Sequence, residues 1–208
     1  MVERGLDHIS VELSRACDVS AFISVKLNES TIDANLRNRV VASCFAVTLD
    51  HYDAVLALLG RAPQIYSSAF ALARLVFESY IRGMWFMLCA SDEQLEAFSN
   101  NSFDLPKNPK LINSVEKAGG FDGKQLSETY TKAWKHLCDY THTGTLQVQR
   151  WNKSDSIEPS YSDEEVIEII RFTRAYAVLA AVSFAETVVK NKELAEQFLA
   201  TAKEISAV

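Results

Sequence analysis

Apolar residues recur every three or four positions along most of this chain, the period of a helix with one buried side. Near the N-terminus Leu6, Ile9, Leu13, Cys17 and Phe22 fall on one side, and Glu3, Asp7, Glu12 and Arg15 fall elsewhere. The pattern predicts a first helix from Val2 into the twenties, with an interruption over 18–21. A polar stretch at 28–31 precedes a second helix whose core stripe reads Leu36, Val40, Cys44, Val47, His51, Val55 and Leu58, with Gly60 as its stop. The third helix, 63–90, starts at Pro63 and is apolar around nearly its whole circumference. A helix of that kind belongs at the centre of a fold.

Beyond it the pattern predicts a short helix over 93–99 capped by Asp92, a surface loop over 100–110 containing Pro106 and Pro109, and two helical turns over 110–118 before Gly119 and Gly120. A longer helix, 122–142, turns Leu126, Tyr130, Trp134, Leu137, Cys138 and Thr141 inward and ends at Gly144. A polar linker over 154–162 leads to Ser162 and Glu165, which have the spacing of a capping box. Val166, Ile169, Ile170, Thr173, Ala177, Ala180, Phe184 and Val188 carry the next helix. A last one, 192–205, has only Leu194, Phe198 and Ile205 to dock with, so weak docking is expected. The fold class is all-α: a bundle of five or six principal helices forming one domain over 1–208, centred on 63–90.

Composition agrees with this pattern. The 208 residues are 48% hydrophobic and 23% charged, and seven glycines with four prolines are too few for a turn-rich chain. A net charge of −6 gives no global attraction to nucleic acid, so DNA is not an expected partner and RNA would need a local cationic patch. Cys17, Cys44, Cys89 and Cys138 form no C-x-x-C pair and lie in apolar patterns, which implies small buried hydrophobes in a reducing, cytoplasmic setting. The charged N-terminus does not read as a signal peptide. The longest apolar runs, 83–90 and 175–185, fall short of the roughly 20 residues of a membrane span.

Two places hold candidate chemistry. Arg74, Glu78 and Arg82 are the only charged residues between Pro63 and Ser91, and spacing by four aligns them on one face of the central helix. One carboxylate cannot satisfy two guanidinium groups, so surplus donors reach another helix, backbone carbonyls or an anionic ligand. The ladder therefore either fixes helix register or forms a site. The second place is the helix end from Trp134 to Gly144, where Asp139 and His142 share a face. A histidine there serves as a cap on the last carbonyls or, with Asp139 beside it, as a general acid or base. Leu146, Gln147, Gln149, Arg150 and Trp151 follow, able to line a groove or cover the core.

The stretch Ser68 to Arg74 with Glu78 and Arg82, together with Asp139-Tyr140-Thr141-His142-Thr143-Gly144, resembles an uncharacterised bacterial family of small helical proteins in which an Arg/Glu helix accompanies a helix ending in Tyr-x-His. That family in turn is similar to the HEPN superfamily of helical bundles, many of them metal-independent RNA endonucleases of toxin-antitoxin and phage-defence systems. The resemblance implies a HEPN-like bundle, assembled as a homodimer, that cleaves RNA or binds a nucleotide without metal or cofactor and works beside an antitoxin or other defence protein. HEPN ribonucleases carry Arg, four to six variable residues, then His. Here Lys135 and His136 stand upstream of His142 without an arginine, so Arg74 or Arg82 would supply the guanidinium in space. On that resemblance His142 is the acid or base, Arg74 and Arg82 stabilise the anion, Glu78 and Asp139 orient, and Tyr140, Thr143, Gln147 and Arg150 bind. A noncatalytic interaction or small-anion-binding bundle with a structural ladder is the other reading.

Sequences for phosphate loops, dinucleotide folds, nucleophile elbows, zinc helices and paired-cysteine metal sites do not occur. His136 and His142, six apart, face different sides of a helix and are not expected to share a metal.

Overall fold

The computed structural model describes the backbone of residues 5–119 and 124–206 and the side chains of 8–119 and 124–204. Expectations resting on Val2, Glu3, Leu6, Asp7, Gly120, Asp122 and Ile205 lie outside those described residues. Among them are nine α-helices, one π-helical turn and no strand. The protein is all-α.

Helix α1 (Gly5–Asn28) is continuous through 18–21, where the sequence predicted a break. The serine Ser20 hydroxyl donates to Asp53, which ties this stretch to the next helix. Its inner face is Glu12, Ala16, Val19 and Ile23, whereas Cys17 is exposed. Helix α2 (Leu36–Gly60) is capped by Asn35, whose side chain accepts from the Asn38 N–H. Its buried stripe is Val41, Phe45, Thr48, Tyr52, Val55, Leu56 and Leu59. The expected stripe was thus off by one residue, about 100° around the helix. The two large rings decide the face, and their neighbours satisfy the polar atoms brought in with it: Tyr52 Oη donates to the Ala16 carbonyl at 2.9 Å and Thr48 Oγ1 to Ser79 Oγ at 2.9 Å. Cys44 and His51 are half-buried and Val47 is exposed. Burial pushes the Cys44 thiol up to about 11 and draws His51 below its ordinary value.

Helix α3 (Tyr66–Leu88) is central, packing on α2 and on three later helices. It starts three residues after Pro63, not at it. Gly83 sits where a Cβ would stand 2.6 Å from the Phe45 ring, so its bare backbone permits the close approach of α2. Helix α4 (Asp92–Ser99) is capped by Ser91, not Asp92, in a capping box with Gln94. Helix α5 (Asn108–Gly119) begins inside the expected loop, with Pro109 in the first turn, where a missing N–H costs nothing. Helices α6 (Gln125–Thr141) and α7 (Thr145–Gln149) follow, and α8 (Asp163–Phe184) has the expected Ser162/Glu165 box.

A π turn over Ala185–Val189, closed by left-handed Lys190, leads to α9 (Lys192–Ser206). This last helix does more than dock weakly. Leu194, Ala195 and Phe198 form a second buried cluster with Val19, Ile23, Val178, Ala181 and Ala185, and Phe198 meets Phe22 edge-on at 5.8 Å. A buried phenylalanine of this kind contributes about 1.5–3 kcal/mol. One described helix, α2, is long and apolar enough to match a membrane span by length and composition, although polar and charged residues interrupt its apolar run. Here one side of it packs against α3 and α8.

Candidate functional site

The ladder on α3 meets its donor surplus in an ordered way. Glu78 is buried, and its Oε1 accepts from Arg74 Nε at 3.1 Å, Arg74 Nη2 at 3.0 Å and Asn108 Nδ2 at 3.2 Å. Among the described residues its Oε2 takes only Arg82 Nη2, at 3.5 Å. A charged carboxylate with several donors is the form in which burial is tolerated. Asn108, at the start of α5, was invisible in the sequence because its loop has no patterned chemistry. The remaining Arg74 nitrogen, Nη1, contacts His142 Nε2. The guanidinium also lies over the Trp134 ring, 4.7 Å from its centroid, and Tyr130 stacks on that ring at 4.8 Å.

The end of α6 explains how His142 reaches Arg74. His142 is the last, half-helical residue and its N–H still donates to Cys138 O. Thr143 then adopts a left-handed conformation (φ 55°), and Gly144 N–H donates back to Asp139 O at 2.7 Å, the long-range bond of a Schellman turn. Gly144 itself is not left-handed. A Cβ there would stand 2.6 Å from Asp139 Oδ1 and 2.7 Å from its Cα, so glycine is needed for close contact rather than for positive φ. One turn earlier, Thr141 Oγ1 contacts the Ala71 carbonyl at 3.3 Å, pinning α6 to α3 beside Arg74. Because a guanidinium only donates, a hydrogen bond in this contact has Nε2 of His142 as its acceptor.

The other expected site residues are elsewhere. Asp139 makes no hydrogen bond to His142 among the described residues; its side chain lies against Gly144 instead. Arg82 is two turns beyond Arg74, roughly 12 Å along the helix, and lines a groove with Cys44 and Phe98. Tyr140 is buried edge-on against Phe70 at 4.9 Å, where burial pushes its hydroxyl up to about 12. Gln147 is also buried, accepting from Tyr161 Oη at 2.9 Å. Arg150 Nε donates to Glu165 Oε1 at 2.8 Å, while Glu165 Oε2 caps α8 through the Ser162 N–H at 3.0 Å. Tyr140 therefore packs α6 on α3, Gln147 and Arg150 tie α7 to Tyr161 and to the start of α8, and none of the three makes a hydrogen bond to His142 among the described residues. Thr143 is exposed at the turn itself. No group of three or more His, Cys, Asp or Glu side chains suited to a metal occurs among the described residues.

A model of a protein family of unknown function, DUF6988, matches residues 45–208. The chain belongs to this family. No curated protein and no solved structure matches it. The DUF6988 match takes in α3, α5 and α6, and so every residue around Arg74 and His142, while α1 lies outside it.

A second buried charge cluster, with one member on α1 outside that match and two on α8 within it, was overlooked in the sequence. Glu12 and Arg174 are both buried, Arg171 Nη2 donates to Glu12 Oε2 at 3.0 Å, and Arg174 Nη1 stands 2.8 Å from Glu12 Oε1. That last pair is close enough for charge attraction, yet its angles are not those of a hydrogen bond, so both atoms are left without one. The only trace in sequence is an arginine pair at i and i+3 inside an apolar helix. Its carboxylate partner is too far away in the chain to be paired by spacing.

Proposed function

We propose that this DUF6988 protein is a HEPN-like, metal-independent ribonuclease of a defence or toxin-antitoxin type, acting in the cytoplasm with Arg74 and His142 as its reacting pair. What supports this reading is one observation: Arg74 Nη1 against His142 Nε2, with the guanidinium steered by Glu78 and Trp134. The fold supplies in space the Arg and His neighbours that the superfamily places close together in sequence. In the proposed step His142, neutral at Nε2, takes the proton of an RNA 2′-hydroxyl, whose oxygen attacks the adjacent phosphorus. The P–O5′ bond breaks, the imidazolium returns its proton to the leaving oxygen, and a 2′,3′-cyclic phosphate and a 5′-hydroxyl result. Arg74 donates to the phosphorane oxygens, Glu78 and Asn108 position it, and Arg82 meets a neighbouring phosphate. A homodimer and an antitoxin partner belong to the same proposal.

A second reading, a noncatalytic anion-binding bundle, is favoured by the completeness of the Glu78 network, which serves equally well to hold α3 and α5 together. Cleavage of single-stranded RNA in EDTA separates the two. Under the ribonuclease reading His142→Ala and Arg74→Ala each lower the rate by about 10²–10⁴-fold; both keep the parent's circular dichroism and His142→Ala its melting temperature, while Arg74→Ala, which strips two donors from Glu78, melts lower. Wild-type protein leaving a mixed-sequence RNA library intact, as monomer and as dimer, would overturn it.

A further inference from the structure

One cavity beside a charge cluster lies away from His142. It lies between α1, α8 and α9, has a volume of about 800 Å³, and its lining includes Arg15, Arg171, Arg174, Lys203 and Glu12. Four cations thus face one carboxylate in a protein whose net charge is −6. Arg174 and Arg171 share Glu12, but Arg15 and Lys203 have no ion-pair partner among the described residues. Its lining is also partly apolar: Val178 with Leu179 and Leu199, two of the larger hydrophobic side chains left exposed on this protein. The buried Arg174 lines the same cavity, with Nη1 close to Glu12 but lacking a hydrogen bond.

We infer that this cleft binds an amphipathic anion, a carboxylate or phosphate head carried on an apolar tail. The head sits between Arg15 and Lys203, where unpaired cations gain charge-assisted hydrogen bonds. The tail covers Leu179 and Leu199, removing apolar surface from water. A polar anion alone leaves the leucines wet, and an uncharged alkyl chain leaves the cations unpaired. Only both features together use the charged and the apolar parts of the lining. The inference is independent of the ribonuclease reading, since none of these residues lies in the Arg74–His142 cluster.

The test is calorimetric titration of the whole protein with decanoate and with decyl phosphate, each below its micellar range, against decanol and inorganic phosphate. Either amphipathic anion is expected to bind at least about tenfold more tightly than decanol or inorganic phosphate, and the stronger of the two identifies the head group. The Arg15→Ala/Lys203→Ala double variant is expected to weaken that binding at least about tenfold with an unchanged melting temperature without ligand. Leu199→Ser, in the apolar part of the lining, is expected to weaken it too, with phosphate binding unaltered. Decanol binding as well as decanoate, inorganic phosphate binding as well as decyl phosphate, or a double variant that binds like the parent would each overturn the inference. RNA cleavage is untouched by any of these outcomes.

Discussion

Glu78 on α3 and Glu12 on α1 are both buried carboxylates facing two arginines, yet they do different things. Glu78 has both partners on its own helix, four residues before and after it, and Asn108 as a third donor. Arg74 and Arg82 remain 18% and 45% exposed, so their spare donors reach outward, one of them to His142. Glu12 has its partners on α8, 159 residues away in the case of Arg171. Arg174 is only 9% exposed, so its charge has almost nothing but Glu12 to answer it. Pairing along one helix leaves Arg74 a donor for His142, whereas long-range pairing makes Glu12 a clamp between α1 and α8.

The sharpest break of that comparison is Glu12→Ala. It strands a buried guanidinium and is expected to cost on the order of 3–5 kcal/mol in urea denaturation, with separation of α1 from α8 seen as faster amide exchange in α1. Equal stability in the variant would mean that Arg174 reaches water by another route. Glu78→Gln is expected to cost less, about 1–3 kcal/mol by the same measurement, because Arg74 and Arg82 retain solvent and the amide oxygen still accepts. A loss as large as that of Glu12→Ala would erase the distinction drawn between clamp and ladder.

The third and smallest effect concerns acid. Burial alone would push the Glu12 carboxyl up, but the Arg171 hydrogen bond and the Arg174 charge outweigh it and hold the folded value below the ordinary one. A lowered folded value means that this pair contributes stability above the unfolded glutamate range and loses it as pH falls through the folded value. Stability measured from pH 7 downward should therefore decline more gently in Glu12→Ala than in the parent protein. Parallel profiles would show that Arg171 and Arg174 do not hold that proton off.

Helix locations, the central place of α3 and the Ser162/Glu165 cap were legible because each depends on neighbours within a few residues. So was the ladder, since spacing by four on an apolar helix needs nothing but the helix. The face of α2 was not, because Leu36, Val40 and Cys44 offered one apolar stripe and Phe45, Thr48 and Tyr52 offered another. Packing against α3 at Gly83 chose between them. Tyr140, Gln147 and Arg150 looked like site residues for a related reason: polar side chains near a helix end resemble a site until their partners, Phe70, Tyr161 and Glu165, are brought alongside.

By itself the sequence determined that this chain folds as α-helices and that two arginines and a glutamate share one side of the innermost one. Tertiary structure alone decided where the spare Arg74 donor goes, that Asn108 helps hold Glu78, and that Glu12 has a partner in Arg174. The physical reason is range. Helix formation and spacing by four act over one turn of backbone, whereas the partner of a buried charge depends on which distant segments the packing of apolar faces carries to it.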